Sequence, residues 1–315
     1  MKCSIVIRSY NEEKHIGRLL DGIVQQNIQD LEIILVDSGS TDATTIIAAS
    51  YPVIILHIQP NEFTFGRSLN RGITQAKGEF IVIASAHVYP VYHDWLEKLL
   101  SPFNNPKVAL TYGKQRGDAT IKFSEHQIFI QWFPDQSQSR QAHPFCNNAN
   151  AAIRRSLWEL HAYDESLTGL EDLEWAHWAM GQDYAISYIS EAEVKHVHNE
   201  TPRDVYNRYR REAMGFKRIF PQERFNLIEF LRLVSTNIFN DIWHAVRKRV
   251  LWTNLSSIFW FRWMQFWGTY QGYHHSGPVT GKLRQTFYYP RELGTSPQSY
   301  PRDIEPIQYD NEPEG

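Results

Sequence analysis

Residues 4–12 read Ser4-Ile5-Val6-Ile7-Arg8-Ser9-Tyr10-Asn11-Glu12, a short β-rich run closed by a polar turn. The next stretch, Glu12–Gln25, carries apolar residues at helical spacing, so the hydrophobic period changes from two to about 3.6 within a few positions. The same change recurs downstream. Runs at Leu31–Val36, Val53–Ile58, Phe80–Ala84 and Val108–Tyr112 read as strands, and Thr41–Ser50, Gly66–Ala76 and Tyr92–Phe103 read as helices. Strand–helix alternation of this kind predicts an α/β fold, a mostly parallel sheet flanked by helices on both faces.

Ligands of such sheets sit beyond the carboxyl ends of the strands, where the loops converge. Three strand ends here are polar: Ser9-Tyr10-Asn11-Glu12, Asp37-Ser38-Gly39-Ser40-Thr41-Asp42 and Ser85-Ala86-His87. Ser, Asp and Asn are favoured at caps and turns in any case. Three such loops at one sheet edge also suit a phosphorylated ligand, because helix N-termini offer unpaired N–H groups and a partial positive charge.

Farther along, Phe145-Cys146-Asn147-Asn148-Ala149-Asn150 reads as an Asn-rich loop leading into a strand or helix. Glu171-Asp172-Leu173-Glu174-Trp175 opens a helix running to Met180, with acids in the first turn where the dipole favours them. A further strand is predicted at Ala185–Ile189, followed by Lys195-His196-Val197-His198-Asn199-Glu200, and from Asp204 the pattern is helical and basic.

Composition narrows the classes. Of 315 residues, 42% are hydrophobic and 21% charged, which permits a large core and excludes wholesale disorder. The net charge of −3 argues against a nucleic-acid partner, but its distribution is uneven. Residues 1–202 carry 16 basic and 24 acidic side chains, residues 203–291 carry 15 and 5, and residues 292–315 carry 1 and 6. Two cysteines, Cys3 and Cys146, make neither a disulfide framework nor a thiolate metal site, so a reducing, cytoplasmic setting is expected. No secretory leader or membrane span is read from the chain, which carries neither the dinucleotide nor the phosphate-loop glycine motif and no G-x-S-x-G elbow.

The strand-end motifs are joined by Gly66-Arg67-Ser68-Leu69-Asn70-Arg71-Gly72, Ala76-Lys77-Gly78-Glu79, Glu171-Asp172 and His198-Asn199-Glu200. In this order the residues resemble glycosyltransferase family 2, with the GT-A fold, over roughly residues 3–220. The resemblance implies transfer of a sugar from a nucleotide-sugar donor to an acceptor hydroxyl, with inversion. It places Ser9, Asn11 and Asp37 at the nucleoside, Arg67 and Asn70 along the nucleotide, and Asn148 in a loop facing donor and acceptor. It makes Asp172 the base, with Glu171 orienting the acceptor or the helix. Both acids are otherwise ordinary first-turn helix residues.

The chain departs from the family at its metal motif. Most members carry Asp-x-Asp after the fourth strand, where this chain has Ser85-Ala86-His87. A related branch, the polypeptide N-acetylgalactosaminyltransferases, uses Asp-x-His with the His on manganese. By that likeness His87 is a ligand of a divalent ion, Mn2+, with His198 as the second ligand or His196 in its place. The competing account is metal-independent transfer, in which Arg or Lys neutralises the leaving group. Tyr112-Gly113-Lys114-Gln115 is similar to a bacterial polysaccharide-type subset that also carries Ser-Ala-His.

Three regions are expected: a GT-A domain at 1–220, a basic aromatic helical extension at 221–294, and an extended or disordered acidic tail at 295–315. Five of the ten Trp residues, Trp243, Trp252, Trp260, Trp263 and Trp267, alternate with Arg247-Lys248-Arg249 and Arg262. Such a stretch, 243–267, either docks on a membrane surface, suiting a lipid-linked saccharide acceptor, or packs on protein, including as a homodimer contact. Two other functions remain compatible with the sequence: a catalytically inactive relative acting as a membrane-associated module, and a sugar nucleotidyltransferase.

Overall fold

The computed structural model describes residues 2–59, 62–198, 200–274 and 304–309. The chain runs β1 (Cys3–Ser9), α1 (Ile16–Val24), β2 (Leu31–Asp37), α2 (Thr44–Ala48), β3 (Val53–His57), α3 (Phe65–Gln75) and β4 (Phe80–Ser85). It continues with β5 (Val88–Pro90), α4 (Trp95–Leu100), β6 (Val108–Gly117), α5 (Phe123–Trp132), β7 (Asn150–Arg154) and α6 (Arg155–Trp158). The remainder is α7 (Glu171–Gly181), β8 (Ala185–His196), α8 (Pro202–Ile219), α9 (Leu227–Arg247) and α10 (Leu251–His274).

One eight-stranded sheet, in the order β3-β2-β1-β4-β7-β6-β8-β5, organises the fold. The first four strands in space are parallel, as the alternating pattern predicts. The sheet as a whole is mixed. β7, built from the end of the Asn-rich segment, enters antiparallel between β4 and β6, and β5 pairs antiparallel with β8. An antiparallel strand needs no crossover helix, so strand–helix alternation gives no signal for it. The strand predicted at Ala185–Ile189 extends to His196, past a register shift between Gly113 and Gln115 on β6. The helix predicted from Glu12 begins at Ile16, since residues 11–13 bond to the loop after β2 instead.

Alternation along the strands separates two cores. Cys3, Ile5 and Ile7 of β1 face one layer with Ile16, Leu19, Leu20 and Ile23, the helically spaced stripe of α1, and with Trp95 and Leu99 of α4. Val6 faces the other layer with Leu69 and Ile73 of α3 and Trp175 of α7. A third cluster, including Phe123, Leu173, Phe216, Phe230 and Phe266, joins α5, α7 and α8 to α9 and α10. Residues on both sides of the boundary expected at 220 share it. Close approach of α10 to α8 requires glycine: a Cβ on Gly268 would lie 2.4 Å from the Tyr206 carbonyl oxygen, and one on Gly272 2.5 Å from that of Arg210.

The α9–α10 pair is pinned by a fully buried ion pair. Arg262 donates from Nε and Nη2 to the two carboxylate oxygens of Asp241, at 2.6 and 2.9 Å; Nη2 also donates to the Ser124 carbonyl, and Nη1 to Gln265 Oε1. Asp241→Ala strands a buried guanidinium and is expected to cost about 3–5 kcal/mol of unfolding free energy by urea titration.

Most of the expected tail at 295–315, and residues 275–294 of the extension, lie outside the described residues. Residues 304–309 run against the domain: Ile307 N–H donates to the Val91 carbonyl at 2.9 Å, and Pro306 bridges Tyr92 antiparallel.

Candidate active site

The carboxyl ends of β1 and β4, the loop into β7, the start of α7, the end of β8 and the inner face of α8 enclose a cleft of about 590 Å³. On one wall the backbone is forced out of ordinary geometry. Leu170 is left-handed (φ 65°) immediately before Glu171, and Asn11 (φ 55°) adopts the same region at the end of β1. Only four described non-glycine residues do so, and two of them line this cleft. Strain of this kind persists where the surroundings impose it, and Leu170 turns the chain where Glu171 and Asp172, the first two residues of α7, enter the cleft.

Glu171 and Asp172 are nearly fully buried. Glu171 Oε1 accepts from Arg8 Nη1 at 3.1 Å and from Asn148 Nδ2 at 3.4 Å. Asp172 accepts the backbone N–H of Asn148 at 3.0 Å and its neighbour Leu173's at 2.8 Å. Burial, and then the adjacent Glu171 carboxylate, push the Asp172 carboxyl up to about 7 against the opposing pull of those N–H groups and Arg8. Asn148 Oδ1 is buried with no partner, and the Arg8 and Arg211 guanidinium groups both lie over the Phe65 ring, at 4.7 and 4.6 Å.

On the opposite wall His87, His196 and His198 meet. Their ligating nitrogens lie within 4.8 Å of one another, and the ring centroids of His196 and His198 are 4.1 Å apart. Each ring is held by an oxygen at Nδ1: Glu12 for His87 at 2.8 Å, Gln115 Oε1 for His196 at 2.7 Å, and Glu125 for His198 at 2.7 Å. An ionised carboxylate only accepts, so Nδ1 of His87 and of His198 donates to it, which leaves Nε2 as the nitrogen through which either ring could ligate. The buried His196 Nε2 has no partner, and burial, with His198 and His87 alongside, holds this imidazole well below its ordinary pKa and thus neutral.

Neutral imidazoles with oriented Nδ1–H groups are how proteins present ligands to a transition ion. The donor set therefore fits a divalent transition ion, and fits Mg2+ poorly, which prefers oxygen. A second grouping, Glu125, His198 and Glu200, differs because Arg208 already lies between its acids, at 2.7 and 2.6 Å. Burial opposes ionisation of Glu125, but Arg208 and His198 hold its carboxyl down to about 2.

Asn11, Ser85, His87, Asn148, Glu171, Asp172, His196 and His198 are thus brought to one cleft. Four other expected residues lie outside its lining. Asp37 is buried in its own turn, accepting from Gly39 and Ser40 N–H at 3.1 Å, with the Ser9 hydroxyl at 3.4 Å. Arg67 and Asn70 line a separate groove. There Arg67 pairs with Glu165 at 2.7 Å, while Asn70 bonds Trp158, Tyr163 and Glu165. The sequence marks Gln115 only as the end of the Tyr112-Gly113-Lys114-Gln115 motif, not as a partner of a histidine, and no local pattern marks Glu125. They come from β6 and α5, some 70–80 positions before the histidines.

The glycosyl transferase family 2 model matches residues 4–160. The chain belongs to glycosyltransferase family 2. This family 2 chain is 32% identical over 196 residues to the O-antigen chain rhamnosyltransferase WbaN of Salmonella anatum, covering 59% of this chain and 62% of that protein. It is 29% identical over 222 residues to the O-antigen chain rhamnosyltransferase RfbN of Salmonella typhimurium, covering 66% and 70%. The match to WbaN thus spans less than two thirds of that relative's length.

Solved structures share its fold. The mannosyltransferase PcManGT of Pyrobaculum calidifontis, in complex with GDP-Man and Mn2+, superposes with a TM-score of 0.58 at 20% identity, over 87% of this chain and 85% of that one. TarS of S. aureus in complex with UDP-GlcNAc superposes at 0.54 and 18% identity, over 88% and 93%.

Proposed function

We propose that this family 2 chain moves a sugar from a nucleotide-sugar donor to a hydroxyl of a saccharide or lipid-linked saccharide, with inversion at the anomeric carbon. One observation carries the reading: a single cleft at the carboxyl edge of the sheet joins the buried acid pair to three converging imidazoles. The O-antigen rhamnosyltransferases among its relatives support a saccharide acceptor, and the neighbours bound to GDP-Man and UDP-GlcNAc support a nucleotide-sugar donor.

In this reading Asp172 takes the proton from the attacking hydroxyl. A base titrating near the working pH is both available and strong enough to do so. Glu171, fixed by Arg8 and Asn148, keeps α7 aimed and orients the acceptor, and the unpartnered Asn148 Oδ1 accepts from a sugar hydroxyl. The nucleoside is assigned to the turn carried by Ser9 and Asp37, which adjoins the cleft through Asn11 and Asp42. Arg67 and Asn70 are tied to the 158–165 segment and line a groove outside this cleft.

His87, His196 and His198 would together hold a divalent ion, with Glu12, Gln115 and Glu125 fixing the rings. Such an ion, when bound, supplies positive charge where the diphosphate leaving group becomes more negative. Mn2+, present with a nucleotide sugar in PcManGT, is the expected ion. Arg8 and Arg211 add fixed positive charge to the same cleft.

A panel of nucleoside diphosphates tested for thermal stabilisation, with Mn2+ and with Mg2+, checks the reading. One diphosphate should raise the melting temperature more with Mn2+, because a ligand bound only by the native state stabilises it. If no nucleotide shifts the transition with any ion, the chain is an inactive relative. Pyrophosphate release from a nucleoside triphosphate would make it a nucleotidyltransferase instead.

A further inference from the structure

The helices after residue 224 leave an apolar face that no other described residue covers. On α9, Ile228, Leu231, Phe239, Trp243 and Val246 follow helical spacing on one side and are each more than half exposed, Ile228 to 75% and Phe239 to 71%. The opposite side, with Phe230, Leu233, Val234 and Ile238, carries the packing on the rest of the protein. Just past the end of α9, Trp252 in the first turn of α10 is 85% exposed. Large apolar side chains gathered at this exposure mark a surface with a partner.

Charge identifies the partner. Among residues 224–274, every exposed Lys, Arg, Asp or Glu is basic: Arg224, Arg232, Arg247, Lys248 and Arg249. Asp241 is buried against Arg262, and Glu229 is only half-exposed. The cations bracket the aromatic residues, and Arg247 lies over the Trp243 ring at 5.4 Å. Two copies of this chain meeting through the face would set those cations against one another, whereas an anionic surface complements them. No described helix is long and apolar enough to cross a membrane, so the face can only lie along one. An amphipathic helix with Trp, Phe and Leu on one side and Lys and Arg at its margin lies in the interface plane of a bilayer.

We propose that the outer face of α9, with the Arg247–Arg249 turn and Trp252, is a docking surface for an anionic lipid bilayer. Trp243, Phe239 and Trp252 enter the headgroup boundary, and Arg232, Arg247, Lys248 and Arg249 meet lipid phosphates. The inference rests on exposure and charge alone and holds whatever sugar or nucleotide the cleft accepts.

Vesicle co-sedimentation with the full chain tests it. Binding is expected to vesicles of mixed phosphatidylglycerol and phosphatidylcholine, and to fall sharply with pure phosphatidylcholine or with high salt. Phe239→Ser combined with Trp243→Ser should weaken binding at least about tenfold, because two large exposed apolar groups no longer enter the boundary. Arg247→Gln with Lys248→Gln should weaken it about fivefold per charge on the anionic vesicles. Both double variants replace exposed side chains, and an unchanged melting temperature verifies that they fold. Equal partitioning of wild type and variants, or no partitioning at all, overturns the proposal. So does a concentration-dependent dimer in sedimentation equilibrium that the Phe239/Trp243 variant abolishes, since that result assigns the face to a second copy.

Discussion

Asp172→Asn is expected to lower kcat about 10²–10⁴-fold, the range that a positioned base contributes, while donor binding survives. The amide retains an acceptor oxygen for one of the two backbone N–H groups that hold the carboxylate, so the cleft keeps its shape. What it loses is the capacity to take a proton. Steady-state kinetics on the variant, paired with nucleotide-induced thermal shift, separates the two: the rate should collapse and the shift should persist. A variant that turns over at the wild-type rate removes Asp172 as the base.

The pH profile supplies an independent check. The base must be ionised to act, and burial together with the neighbouring Glu171 raises the Asp172 carboxyl to about 7. Activity is therefore expected to be flat above that point and to fall on acidification below it, approaching about tenfold per pH unit. The limb belongs to the Glu171–Asp172 pair rather than to one residue, and it should be absent from the residual rate of Asp172→Asn. A profile falling at alkaline pH instead would point to a cationic group as the essential one.

His196→Ala carries the second large effect. Its buried Nε2 has no partner, and it sits between His87 and His198, with ring centroids 5.1 and 4.1 Å away. Removing an outer partner of a metal-ligating histidine costs roughly 10–100-fold in affinity, so loss of the imidazole itself should cost more. Calorimetric titration with Mn2+, or the visible absorption of added Co2+, reads this without reference to turnover. Glu125→Gln tests the same geometry from outside: the ring keeps an acceptor, so affinity should fall less than in His196→Ala. Unchanged ion affinity in His196→Ala would separate the imidazole cluster from metal binding and return the leaving-group charge to Arg8 and Arg211.

The central sheet was readable because local period reports it directly. Ile5, Ile7 and Val6 alternate between two cores, and the stripe Ile16, Leu19, Leu20, Ile23 needs only a helix to become one buried face. The antiparallel entry of β7 was not readable, since Asn150–Arg154 is short, follows an irregular segment and owes its place to pairing with β4 and β6. Pairing partners are a property of the closed sheet, and no window of sequence contains them. The histidines show the same limit. Family likeness offers His198, or His196 in its place, as the second ligand beside His87, whereas the fold brings both rings to His87.

The sequence by itself determined the alternating α/β architecture, the family, and the residue types gathered at the strand ends, because these follow from hydrophobic period and motif order. Tertiary structure decided which of them share a cleft. It gathered Asn11, Ser85, His87 and Asp172 and left Arg67 and Asn70 in another groove. It also supplied Gln115 and Glu125 from distant elements as the oxygens that orient the imidazoles. Burial did the rest: a first-turn helix acid becomes a base near neutrality, and a histidine becomes a neutral donor, only when packing removes the water around them.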